Sequence, residues 1–324
     1  MKNNTALKKD TESAGRLLYS KRKTRLVQNI IDYKTLYLMM LPGLLIFFLY
    51  KYGPMYGLII AFKDYNMKEG IWGSPWVGLK HFQDMFRADS FYTVFRNTIL
   101  IQFYKLAINF PGPIILALML NEIRNIKFKR SIQTVVYLPH FLSWVIVGGL
   151  VVTLLKPTGT VNQIFASLGL PTYNWMMEPK FFRGIVVVSA LWKNVGWGTI
   201  VYLAALSVIN IELYEAAYVD GARRWQQLWN ITLPSLVPTI IILFILQLGR
   251  ILEVGFEQIF VLYNPITYEV GDVFSTYIYR VGLRGMRFSY TTAMGIFESG
   301  AGVILVLIAN KFAKKISEGE YGIW

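Results

Sequence analysis

Six long apolar blocks separated by polar connectors set the pattern of this chain. They cover about 36–60, 94–120, 132–155, 184–209, 235–256 and 290–313. Each reaches the ~20 residues a helix needs to cross a hydrocarbon core of ~30 Å. None alternates apolar and polar positions as a half-buried strand would. The expected fold class is all-α, a polytopic membrane protein with about six transmembrane helices. Two blocks carry helix breakers. The first contains Pro42, Gly53, Pro54 and Gly57, which predicts a kinked or irregular end. The second contains Asn109-Phe110-Pro111-Gly112-Pro113, where two close prolines break the backbone ladder. Inside lipid, carbonyls freed in this way persist only where protein or a watery cavity satisfies them. The second helix is therefore expected to face a cavity.

Composition sharpens this picture. The 324 residues are 54% hydrophobic and only 16% charged, and mean hydropathy is positive. Cysteine is absent, so disulfides and thiol chemistry are excluded. His81 and His140 are far apart, so each is expected to be a hydrogen-bonded structural residue, and no metal site is expected. The net charge of +14 invites a nucleic-acid reading, but the charge lies beside the apolar blocks. There it sets topology and meets anionic headgroups; no nucleic-acid partner is expected. Residues 1–35 carry nine Lys/Arg and are too long and polar for a cleaved leader, so they read as a basic N-terminal tail. With the N-terminus inside, the inner segments hold 18 Lys/Arg and the outer connectors 10. The positive-inside rule thus places both termini, the tail 314–324 and the connector 210–234 in the cytoplasm. The outer connectors are rich in aromatic residues, as in Trp72-Gly73-Ser74-Pro75-Trp76 and Pro171-Thr172-Tyr173-Asn174-Trp175. These suit interfacial belts, a docking surface for an extracytoplasmic protein, or both.

The connector between the fourth and fifth blocks carries the most specific signal. Residues 211–219 have helix-forming composition, and Gly221 suits a turn needing positive φ. Asp220 is expected to N-cap a second helix on which Trp225 and Trp229, four apart, share a face. Pro234 fits the first turn of the fifth span, where its missing N–H costs nothing. The skeleton Glu215-Ala216-Ala217, Gly221, Ile231, Leu233-Pro234 has the spacing EAA-x3-G-x9-I-x-L-P. It resembles the cytoplasmic EAA coupling loop of the membrane subunit of binding-protein-dependent ABC importers. Similarity to the carbohydrate-importer branch extends through Leu191–Gly198 to Leu206, Gly255-Phe256-Glu257-Gln258-Ile259, Asn264-Pro265, Gly271-Asp272-Val273 and Thr276–Tyr279. The resemblance covers most of the chain from about residue 30 onward. It points to the subgroup handling oligosaccharides from polysaccharides such as pectin or alginate.

That resemblance implies a type I permease fold over 36–313 in a bacterial cytoplasmic (inner) membrane. It implies a second, related permease subunit as a heterodimer partner, two cytoplasmic ATP-binding subunits, and an extracytoplasmic solute-binding protein that delivers the oligosaccharide. No cofactor is expected in this chain, since ATP and Mg would be bound by the partner subunits. Glu215, Ala216, Ala217, Gly221, Ile231, Leu233 and Pro234 would couple to the ATPase. The sequence carries no G-x4-GK[ST] phosphate loop and no H-E-x-x-H, so it is expected to be a transport subunit and not an enzyme.

Polar residues inside apolar blocks are costly and mark candidate sites. Gln102, Lys105, Asn109, Lys193, Asn194, Gln247, Arg250, Glu253 and Glu298 qualify. Of these Lys193, Asn194, Asn109, Gln247, Arg250 and Glu253, together with Trp197, are the candidate substrate pathway. Amides and charges there would bond sugar hydroxyls and aromatic faces would stack on the ring. The alternative for each is helix pinning, with Arg250 and Glu253 neutralising each other. The positive lean of the set would suit an acidic sugar. Two other classes compete, an ion-coupled secondary sugar transporter and a membrane-embedded glycan enzyme. Neither inverted repeats nor a singled-out carboxylate pair supports them.

Overall fold

The computed structural model describes residues 32–249 and 251–316. Most of the basic tail, Arg250 and residues 317–324 lie outside the described residues. Within them the chain is almost wholly helical, with one isolated bridge between Lys63 and Trp76. Six segments are long and apolar enough to cross a membrane: Lys34–Phe62, Asp89–Asn121, Trp144–Ser167, Pro179–Ser207, Arg224–Gly249 and Phe288–Lys311. The six apolar blocks thus correspond to six helical segments.

The chain divides into two compact units at residues 59 and 60. The first holds helix α1, Lys34–Phe47, which continues as a π segment, Phe48–Tyr52. At Gly53-Pro54 the hydrogen bonding tightens to a 3-10 segment, Gly53–Phe62. The irregular end expected from the breakers is therefore a change of helix type.

The second unit is organised around the fourth span, α6 (Pro179–Ser207). In its most apolar stretch 39% of residues are buried, against 17% in the second, third, fifth and sixth spans, which makes it the central helix. The second span is α2 (Asp89–Asn109) followed by α3 (Pro111–Asn121). Phe110 between them keeps right-handed helical angles, so the prolines interrupt bonding without reversing the chain. On α6, Phe182 and Val186 pack with Ile101 of α2, Ile259 and Val273; Tyr202 and Leu206 pack with Ala117 of α3 and Leu236.

The third span departs from the continuous block 132–155. Helix α4, Ile126–Tyr137, gives way to a 3-10 turn at Leu138–Phe141, and Leu142 and Ser143 are extended. Ser143 then caps a new helix, α5 (Trp144–Leu155), by accepting from Ile146 N at 3.3 Å. Pro139 cannot donate to the ladder, and the serine restarts it. Composition alone selects Trp144–Ser167 as the span, but α5 has 12 residues and rises only ~18 Å. The interruption meets Lys193, the fifteenth of the 29 residues of α6. Residues 126–155 are thus two helices joined by an interruption that lies beside the middle of α6. Beside it, a Cβ at Gly196 would overlap the Val136 carbonyl, so only glycine permits this approach of α6 to α4.

The fifth span also ends earlier than its block. Helix α8, Leu233–Gly249, stops at Gly249, whose added Cβ would press on Val306 of the last helix at 2.7 Å. Glu253 therefore lies in non-helical chain. Gly255, at φ +91, turns it into the short helix α9, Phe256–Leu262. Residues 263–287 form short helical pieces, the longest running through Phe274–Tyr277 into a π segment, Ile278–Arg284, and are pinned by Arg280, which pairs with Asp272 and lies over Tyr268 at 4.8 Å. Burial first, then Tyr268 and Asp272, push the Tyr263 phenol there up to about 12, so it remains a neutral hydroxyl. The sixth span is α10, Phe288–Ile316.

Candidate functional site

A cavity of about 730 Å³ opens between the second, fourth and fifth spans. Its walls include Gln102, Lys105 and Asn109 of α2, Asn194 and Trp197 of α6, and Gln247 of α8. Glu253 and Gln258, from the chain after α8, and Trp144, at the start of α5, complete the polar and aromatic lining. The expectation that the proline-broken second span faces a cavity matches this arrangement. Of the seven residues singled out for the pathway, Asn109, Asn194, Trp197, Gln247 and Glu253 meet here. Arg250 lies outside the described residues, and Lys193 is not in the wall.

The two buried lysines do different work. Lys193 Nζ donates to the carbonyls of His140 and Leu142, each at 2.6 Å, with Pro139 O at 3.5 Å. It satisfies the backbone freed where the third span breaks. Lys105 Nζ donates to Val254 O and to Gln258 Oε1, both at 2.7 Å. An ammonium has three N–H donors, so one remains on the cavity side. Among the described residues neither lysine makes an ion pair. Gln258 passes the contact on through Val186 O at 2.6 Å and Ser189 Oγ at 3.0 Å. Gln102 Nε2 holds Glu253 O at 3.0 Å. The non-helical 253–255 chain is thereby tied to the second and fourth spans.

Two side chains face the cavity in forms suited to sugar. Asn109, in the cavity lining, has a buried Oδ1 with no hydrogen-bond partner among the described residues, an acceptor left for a hydroxyl. Trp197 lies parallel to His140, centroids 4.5 Å apart, with its ring 48% exposed. His140 Nδ1 donates to Asn194 Oδ1 at 3.1 Å, and Asn194 Nδ2 to Ala190 O at 3.1 Å. His81 Nε2 meets Lys63 O at 3.1 Å. Both histidines are hydrogen-bonded, as their isolation in sequence suggested. Sequence reasoning missed Gln258 as a site residue; its signal is a lone amide inside the apolar run Phe256–Leu262. Glu298, also singled out, does not line this cavity.

The connector between the fourth and fifth spans folds as a helical hairpin. Asn210 caps α7 (Ile211–Val219), accepting from Glu212 N at 3.0 Å. At its end Ala222 N donates to Ala217 O at 2.8 Å and Gly221 N to Tyr218 O at 3.0 Å, with Gly221 at φ +79. This is a Schellman ending, which glycine permits at least cost. Asp220 is therefore the C-cap of α7, where an N-cap of the next helix had been expected. That role falls to Arg223, whose N–H reaches Gln226 Oε1 at 2.7 Å. The second arm runs from Arg224–Gln227 through a π segment, Leu228–Thr232, directly into α8. Pro234 thus sits in the first turn of α8, as expected, and the π segment before it carries the helix on from the hairpin. Trp225 and Trp229 share a face, edge to face at 6.4 Å, and are 70% and 59% exposed. Tyr214 Oη meets Thr232 Oγ1 at 2.9 Å, joining the two arms. Glu215 and Ala216 are exposed, and Ala217 is half-buried.

A membrane-crossing helical unit with a polar cavity and one exposed capped hairpin defines a transport component. Residues 109–318 match the family described as binding-protein-dependent transport system inner membrane components. The chain belongs to this family. It is 45% identical over 304 residues to the polygalacturonan/rhamnogalacturonan transport system permease protein YteP of Bacillus subtilis (strain 168), covering 94% of each chain. Among solved structures it is similar to a chain of a bacterial ABC transporter involved in import of the acidic polysaccharide alginate. There the TM-score is 0.84 with 46% identity, covering 90% of this chain and 99% of that one. A chain from a bacterial alginate ABC transporter in complex with an alginate pentasaccharide-bound periplasmic protein matches at TM-score 0.84 and 45% identity. It covers 92% of this chain and 100% of the other.

Proposed function

We propose that this chain is the membrane-spanning subunit of an ATP-driven importer of acidic oligosaccharides. The observation that carries the reading is the cavity: a buried, unpaired Asn109 Oδ1, the exposed face of Trp197 and the spare N–H of Lys105 converge on one space. A hydroxyl, a sugar-ring face and a carboxylate would suit these three groups. Relatives named for polygalacturonan/rhamnogalacturonan and for alginate support this substrate class.

In this reading both termini and the hairpin 210–234 are cytoplasmic. Glu215, Ala216, Ala217, Gly221, Ile231, Leu233 and Pro234 form the coupling element. Exposed Glu215 and the small Ala216-Ala217 surface meet an ATP-binding subunit, and the Tyr214–Thr232 contact carries motion into α8. ATP and Mg are bound by two such partners, a second permease completes the pathway, and an extracytoplasmic protein delivers the sugar. ATP binding favours one global state of the assembly, and the cavity changes sides with it. Asn109, Asn194, Trp197, Gln247, Glu253 and Lys105 contact sugar, with Arg250 next to them in sequence.

The test is uptake by proteoliposomes containing the complete assembly and its binding protein. Uptake of a uronate oligosaccharide is expected to need ATP and to survive collapse of ion gradients by ionophores. Uptake driven by an ion gradient without ATP would support a secondary transporter instead. Movement of neutral sugars alone would refute the acidic substrate.

A further inference from the structure

The interruption of the third span is repaired only in part by its own segment, where Ser143 caps α5 and Leu142 N–H donates to Pro139 O. Carbonyl oxygens of His140 and Leu142, and more distantly that of Pro139, are gathered beside the middle of α6 by one side chain, the 6% exposed Lys193. In water such carbonyls would need no partner; in a membrane interior each unsatisfied one costs several kcal/mol. The same interruption carries His140, whose ring lies flat against Trp197 and whose Nδ1 donates to Asn194. Asn194 supplies the amide of α6 in the cavity wall, and Trp197, with Tyr202, its aromatic groups. One ammonium therefore fixes the break, the break fixes His140, and His140 fixes the cavity wall.

We infer that Lys193 is a positioning residue of translocation, holding the third span open beside the middle of α6 so that His140 sets Trp197 and Asn194 in the cavity wall. It touches no sugar. This rests on the transport reading above. A break spanned by a movable side chain, and not by covalent geometry, is a place where two halves of a helix can change angle while their carbonyls stay satisfied. Lys193 is thus also a natural pivot for a change in the wall as the cavity changes sides.

The prediction concerns turnover more than recognition. In the reconstituted assembly, Lys193→Arg keeps the charge but spreads its donors over a planar fork that does not converge on three oxygens as one ammonium does. Its maximal uptake is expected to fall about 10-fold, with KM and the ratio of uronate to neutral oligosaccharide uptake unchanged within about 2-fold. Lys193→Met, which leaves the His140 and Leu142 carbonyls without their ammonium donor, is expected to lose more, with the ratio again unchanged. Wild-type turnover in Lys193→Arg would overturn the inference. A loss confined to the uronate sugar in either variant would also overturn it, since that marks a direct contact with carboxylate. Failure of Lys193→Arg to co-purify with its partner subunits would overturn it too, making the residue a requirement of folding. Absence of uptake by the wild-type assembly would instead refute the transport reading itself.

Discussion

The hairpin 210–234 and the interrupted spans both leave helix, but they satisfy their backbone in opposite ways. In the hairpin every repair is local. Asn210 caps two residues on, Gly221 and Ala222 close onto Tyr218 and Ala217, and Gln226 reaches back to Arg223. In the spans the repairs are remote, Lys193 reaching Leu142 and Lys105 reaching Val254, 51 and 149 residues away in sequence. A locally satisfied element keeps its shape while its surroundings move, as a lever must. A remotely satisfied one is only as fixed as the helices that supply its partners, so it changes shape when they shift. The first suits transmission and the second suits a wall that must admit and release a ligand.

Variants separate the two regions. The largest effect is expected at Glu215, whose exposed carboxylate makes no ion pair among the described residues. Glu215→Lys removes a charge-assisted contact to the ATPase partner and adds repulsion, together ~3 kcal/mol, or ~100-fold in uptake. The variant should still insert and fold, as judged by its thermal unfolding. Unchanged uptake would remove the hairpin from coupling. A smaller loss is expected for Gly221→Val. No atom of the described residues lies within 4 Å of an added Cβ, so the cost is the strained φ of +79, ~1–2 kcal/mol and ~10-fold in uptake. Both variants should lower acidic and neutral substrates alike, measured in the same vesicles.

The same contrast explains how far the residue pattern reached. Six spans follow from block length alone, and the hairpin follows from short-range chemistry, so the positive φ of Gly221 and the shared face of Trp225 and Trp229 were legible. Asp220 was assigned to the wrong helix because a C-cap and an N-cap lie only three residues apart in this turn. The π turn ahead of Pro234 was missed because proline at a first turn and proline after a widened turn leave the same signature. The break at 138–143 was invisible: Pro139 hinted at it, but what makes it affordable in lipid is a lysine on another helix. The positive lean of the intramembrane residues divides, in the structure, between backbone and cavity. Lys193 serves backbone carbonyls and Lys105 lines the cavity, while Arg250 lies outside the described residues. Gln258, which anchors that lysine, lies in a run that otherwise reads as plain apolar helix.

The division of labour between hairpin and cavity rests most directly on charge selectivity at Lys105. The measurement is the ratio of uronate to neutral oligosaccharide uptake by the complete assembly carrying Lys105→Gln. Glutamine can still donate to Val254 O, so the wall keeps its tie while the charge disappears. Loss of a charged hydrogen bond, ~1.5–3 kcal/mol, should lower that ratio by about 10-fold or more, while Glu215→Lys leaves it unchanged. An unchanged ratio in Lys105→Gln, or an altered one in Glu215→Lys, would contradict the account.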